Sequence, residues 1–201
     1  MRLFAVLSLI LAAAETARAE AETFFKAEET RTGAYLAPVF RLNSANEQFG
    51  IWLGGRLGFV TNAVLSYGLE AYGLVTEAEG DRPAGQRFHA GVAGGYVEAI
   101  FHPERRVHST LSLLVGGGSA VAEDLGDITQ DDALDNSFLV VEPEFTLEYN
   151  ISRNIRFAPG VSYRWISGTV SPLDSKWQLS ETSINFRLKF GDFEGRSPDE
   201  W

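Results

Sequence analysis

Between residues 33 and 190 the chain alternates apolar and polar residues in eight runs of roughly ten, and a period of two restricts these runs to strands. The clearest run is Ile155-Arg156-Phe157-Ala158-Pro159-Gly160-Val161-Ser162-Tyr163-Arg164-Trp165. Its odd positions are apolar and its even positions are Arg, Ala, Gly or Ser. Successive strand side chains point to opposite faces, so this run has one oily face and one charged face.

The sequence predicts strands at about 33–42, 48–60, 63–76, 87–101, 107–121, 138–149, 154–166 and 178–190. In the second, Phe49, Ile51, Leu53, Leu57 and Phe59 oppose Gln48, Gly50, Gly54, Arg56 and Gly58. In the third, Leu65, Tyr67, Leu69 and Val75 oppose Ser66, Gly68, Glu70 and Tyr72. The sixth sets Leu139, Val141, Phe145, Leu147 and Tyr149 against Glu142, Glu144, Thr146 and Glu148. The fourth changes phase, with Phe88, Ala90 and Val92 on one face and Val97, Ala99 and Phe101 on the other. A β-bulge at Gly94-Gly95 would restore one continuous oily face and is expected there. Pro38, Pro143 and Pro159 fall inside strands. Each removes a ladder donor, so bulges or unpaired positions are expected at all three.

The connections alternate in length. Those at 61–62, 102–106 and 150–153 are short, whereas 76–86, 122–136 and 167–176 are longer and richer in Gly, Pro and Asp. The connection at 43–47 is short for its series. Residues 1–19 read as a secretory signal: Arg2, an apolar stretch over 3–14, and Ala17-Arg18-Ala19 as cleavage site, with Ala19-Glu20-Ala21 a second choice. The stretch falls short of the roughly 20 apolar residues that span a bilayer as a helix. The expected organisation is therefore a signal over 1–19, a periplasmic segment over 20–32, a barrel over 33–190 and a tail over 191–201. Cleavage removes two Arg and one Glu, which takes the net charge from −10 to −11 and argues against a nucleic-acid partner. With no Cys, neither disulfides nor a cysteine-linked lipid can help hold the protein.

Short turns alternating with longer loops, behind a secretory signal, point to an all-β, eight-stranded, antiparallel, up-and-down transmembrane β-barrel. The alternative is a soluble lipocalin-type barrel with its oily face inward. Gly50, Gly54, Gly58, Gly68, Gly116 and Gly118 favour the membrane form, because small residues suit a crowded narrow lumen and not a solvated exterior. In strand count, loop alternation and the final Ile184-Asn185-Phe186-Arg187-Leu188-Lys189-Phe190, the chain resembles the small eight-stranded outer-membrane barrel family of bacteria. That resemblance implies a location in the outer membrane and contact with its lipid and lipopolysaccharide. It also implies recognition of residues 184–190 by the barrel assembly machinery. The chain departs from the pattern by continuing past Phe190 to Trp201.

Three groups of residues are candidates for chemistry. Inward-phase charges come first: Glu70, Glu98, Glu142, Glu144, Glu148 and Glu181 against Arg41, Arg56, Arg156, Arg164, Arg187 and Lys189. Buried charges must pair, and the turn after the sixth strand should bring Glu148 to Arg156. Such a network either plugs the lumen or lines a path; eight strands leave room for little beyond side chains, which favours a plug. The acidic stretch 123–135 misses the spacing of a calcium loop and reads as a solvated outer loop, so no metal site is assigned. A Ser/His/acid group needs a His in reach of a Ser, and His89, His102 and His108 have no matched partner in sequence. The glycine run at 116–118 precedes no helix and is not a nucleotide loop. Trp52, Tyr67, Tyr96, Tyr149, Trp165 and Trp177 read as girdle or lumen-packing residues. The expected function is non-enzymatic and needs no cofactor: a structural or surface-interaction protein acting through its outer loops. Second comes a narrow channel or carrier for small hydrophobic molecules, and third a lipid A-modifying hydrolase or acyltransferase.

Overall fold

A period-two chain with small inward residues can close its hydrogen-bond ladder on itself, and this one does. The computed structural model describes residues 30–45, 48–76, 87–123, 137–167 and 182–194. Among these residues nine strands form one antiparallel sheet: β1 (Thr32–Ala45), β2 (Gln48–Thr61), β3 (Leu65–Leu74), β4 (Arg87–Phe101), β5 (Val107–Glu123), β6 (Ser137–Asn150), β7 (Ile155–Tyr163), β8 (Trp165–Ser167) and β9 (Thr182–Gly191). Consecutive strands pair from β1 to β7, β7 pairs with β9, and β9 returns to β1. β7 and β8 pair with β6 in a single register, interrupted at Arg164, and make one stave between them. The barrel is closed and eight-stranded.

The outer face is apolar, with Leu69 and Leu139 exposed by 65% and 68%. The inner face is charged, with Glu98, Glu148 and Asn185 at 0%. A water-soluble barrel has the opposite arrangement, so the belt of Leu36, Leu57, Leu111, Val115, Val161 and Ile184 is a lipid-facing surface. Aromatic pairs mark its two ends: Phe59–Tyr67 and Tyr149–Phe157 near the short turns, and Tyr163–Trp165, with ring centroids 5.0 Å apart, near the other.

The expected bulge at Gly94-Gly95 is absent: β4 keeps a constant register with β3 and with β5 through both glycines. Ala90 and Val92 share their face with Tyr96, Glu98 and Ile100, and all five are buried inside the barrel. The phase of hydrophobicity changes because that part of the lumen is itself apolar, and the backbone phase does not change. The prolines lie at gaps in the ladder without any slip. The β1–β9 ladder lapses at Ala37 and Pro38, and the β6 ladder with its neighbour stave lapses at Pro143 and again at Pro159. Register is the same on both sides of each lapse, so a missing N–H costs a bridge but no extra residue.

The turn between β2 and β3 falls one residue later than expected, at 62–64. Asn62 and Ala63 both take positive φ (52° and 58°), and Val64 N–H donates to Thr61 O at 3.2 Å. The glycine run of β5 serves close backbone approach. Gly94 and Gly116 face each other across β4 and β5, and a Cβ on either would lie within 3 Å of the other's Cα. The longer connections at the opposite end, and 178–181 of the expected last strand, lie outside the described residues.

Candidate lumen charge network

Inward positions on every stave carry the network. At the short-turn end the chain leaves β9 and bends back, with Asp192 N–H donating to Ala34 O at 2.9 Å. This places Phe193, 2% exposed, against the Tyr35 ring (5.6 Å) and beneath the Arg156 guanidinium (4.1 Å). Above it Glu148 gathers Arg156 (3.4 Å), His108 Nε2 (3.2 Å) and Lys189. Lys189 Nζ also donates to Glu98 at 2.7 Å, a link across the lumen between β9 and β4. A hydroxyl triad of Tyr35, Ser66 and Tyr96 fills the wall beside it, with Tyr35 Oη and Tyr96 Oη 2.7 Å apart.

The centre is held by Arg56. It meets Glu70, Glu98 (3.2 Å) and Glu144 (3.4 Å) and stacks over the Tyr96 ring at 4.0 Å. Glu144 accepts from Arg187 at 2.5 Å and from Asn185 at 3.0 Å. Arg41 bridges Glu70 to Glu142. Glu142 also accepts from Arg164 Nε (3.0 Å), Tyr72 Oη (2.6 Å) and Ser162 Oγ (2.7 Å). Beyond this layer the lumen becomes aromatic and aliphatic: Trp52, Val92, Ala120, Phe138 and Val140 pack together.

The structure thus brings Arg41, Arg56, Arg156, Arg164, Arg187, Lys189, Glu70, Glu98, Glu142, Glu144 and Glu148 into one connected set of ion pairs. Glu181 lies outside the described residues, as do 124–135 of the acidic stretch and Trp177. Sequence reading missed His108 as a member, although it shares the inward phase of Thr110 and Ser112, and parity alone would have found it. It also missed Phe193, which lies past the last strand and carries no periodic signal. His102 sits in the exposed turn 102–106, 3.3 Å from Glu104, whose own backbone N–H chiefly holds its carboxyl below the usual range. The ring nitrogens of His108 face Glu148 and the Arg105 carbonyl.

Burying this many charges is tolerable because each carboxylate meets at least one cation. Removing one partner of a buried pair costs roughly 3–5 kcal/mol, since the other is left desolvated. The pairs run from wall to wall at several heights.

No protein-family profile matches the chain, and no curated protein matches it. Solved structures do. The N-terminal β-barrel domain of Pseudomonas aeruginosa OprF superposes with a TM-score of 0.54 at 10% identity, covering 81% of this chain and 99% of that one. Neisserial surface protein A gives 0.53 at 15% identity, covering 81% and 96%. The fold is that of the small eight-stranded outer-membrane barrels.

Proposed function

We propose that this protein is a non-conducting barrel of the bacterial outer membrane whose salt-bridged lumen makes it a rigid mount for surface loops. The carrying observation is the wall-to-wall set of ion pairs from Glu148 through Arg56 to Glu142. A pore would place these groups around water; here they are buried and bonded to one another. The apolar belt and the aromatic pairs at both its ends support membrane residence, and the fold and the secretory signal support the outer membrane. In this reading residues 77–86, 124–136 and 168–181 face outward and meet partners, lipopolysaccharide among them, while the turns at 62–64, 102–106 and 151–154 face the periplasm.

The carrier reading would need a way through the wall. A groove of about 830 Å³ does lie on the lipid side, lined by Leu36, Pro38, Gly55, Leu57, Leu69 and Ala93. Yet β1 to β5 remain paired without a gap behind it, so it is a dent in the wall and not a door. Protease treatment of intact cells tests the mount. Cleavage should fall within the three outer segments and leave the strands intact. Cleavage at 102–106 or 151–154 on intact cells would invert the topology and overturn the proposal.

A further inference from the structure

At the outer boundary of the charged layer, the described residues carry a surplus of positive charge and two neighbouring buried donors without a hydrogen-bond partner among them. Among the described residues the buried interior holds six cationic side chains (Arg41, Arg56, Arg156, Arg164, Arg187 and Lys189) against five carboxylates (Glu70, Glu98, Glu142, Glu144 and Glu148). At this end Glu142 serves both Arg41 and Arg164, while Glu70 is shared between Arg41 and Arg56. Arg164 is 1% exposed; its Nε is spent on Glu142, and its Nη2 is buried with no hydrogen-bond partner among the described residues. Its guanidinium lies 4.6 Å from the centre of the Trp52 ring and 5.0 Å from that of Tyr72. Trp52 is 2% exposed, and its indole Nε1 is likewise buried without a hydrogen-bond partner among the described residues.

An orphaned guanidinium N–H is costly to bury, and a net cation in a low-dielectric interior adds to that cost. Water would relieve the donors but not the charge. A single negative charge accepting from both N–H groups relieves the two together. We infer that Arg164 Nη2 and Trp52 Nε1 form a monoanion site at the outer end of the charged layer, taking a halide or a carboxylate. The apolar lining beyond it, Phe138, Val140 and Ala120, suits either a bare ion or the first carbons of a carboxylate-headed amphiphile. The site is independent of whether the loops bind partners.

The test is the Trp52 indole N–H resonance in isotope-labelled full-length protein in lipid nanodiscs, assigned with Trp52→Phe. Titrating sodium chloride into sulfate buffer should shift that resonance saturably, and acetate should compete. Decanoate competing at far lower concentration than acetate points to a lipid-derived carboxylate; equal potency points to a free ion. Arg164→Gln should abolish saturation, with a heat-modifiable gel band showing that the variant has folded. Bromide-soaked crystals of the wild type should show anomalous density beside Arg164, a check that needs no variant. A shift that never saturates, one unchanged in folded Arg164→Gln, or crystals without bromide there would overturn the site. So would a chloride response that appears only in Glu181→Gln, because the chain's own carboxylate would then hold the place.

Discussion

Replacing Glu144 by Gln keeps its shape and removes only its charge. In the native lumen its carboxylate faces Arg187 at 2.5 Å and Arg56 at 3.4 Å, with Asn185 and Thr146 as further donors. Arg56 would keep Glu70 and Glu98, but Arg187 has no other carboxylate within ion-pair distance among the described residues and would be left with Thr146 Oγ1 at 2.9 Å. The expected loss is that of a stranded buried charge, roughly 3–5 kcal/mol. With a urea slope of about 2 kcal/mol per molar, the unfolding midpoint in detergent should fall by about 2 M. Arg187→Met should cost less, because Glu144 retains Arg56. The double variant no longer strands Arg187 and should be less destabilised than Glu144→Gln alone, giving a coupling of at least about 2 kcal/mol in the cycle. Tryptophan fluorescence and gel migration both report the transition. Additivity of the two single effects to within about 0.5 kcal/mol would refute a dry, mutually paired lumen.

Val161→Arg, on a side chain 51% exposed on the outer wall, should destabilise by roughly 2–4 kcal/mol in lipid, whereas Val161→Leu should be silent. A harmless Val161→Arg would mean the belt does not face lipid. Phe193→Ala should cost about 3 kcal/mol, more than Phe190→Ala on the lipid side, because it uncovers Tyr35 and Arg156 at the short-turn mouth. Equal costs would remove Phe193 as a cork. Intact-mass analysis of protein from the membrane fraction should give a chain starting at Glu20 or Glu22, and retention of Met1 would remove the signal.

Strand positions and facing were legible because one period governs the whole wall: with Glu142, Glu144 and Glu148 inward, Leu139, Val141 and Leu147 must point out. The rule that apolar means outward failed at Ala90 and Val92, where the lumen changes from ionic to apolar along its axis. Sequence alternation reports the contrast between two faces and cannot report which contents fill the inner one. Pair identities were mostly out of reach. Glu148 and Arg156 are joined by a short turn and could be foreseen, but Lys189 finds Glu98 and Arg41 finds Glu142 only because the sheet closes. Those contacts depend on closure and tilt, which no local pattern encodes. Trp52, Tyr72 and Tyr96 face inward beneath the guanidiniums of Arg164, Arg41 and Arg56, so aromatic residues of one composition serve both as girdle and as lumen packing.

Single-molecule conductance in a planar bilayer tests the central claim most directly. Refolded wild-type protein should insert, as judged by gel migration and protease protection, and give no steps above the bare bilayer across the accessible voltage range. Steady ohmic steps that persist in wild type, with an ion selectivity altered by Arg56→Met, would show that these charges line a water path, and the sealed-lumen account would be wrong.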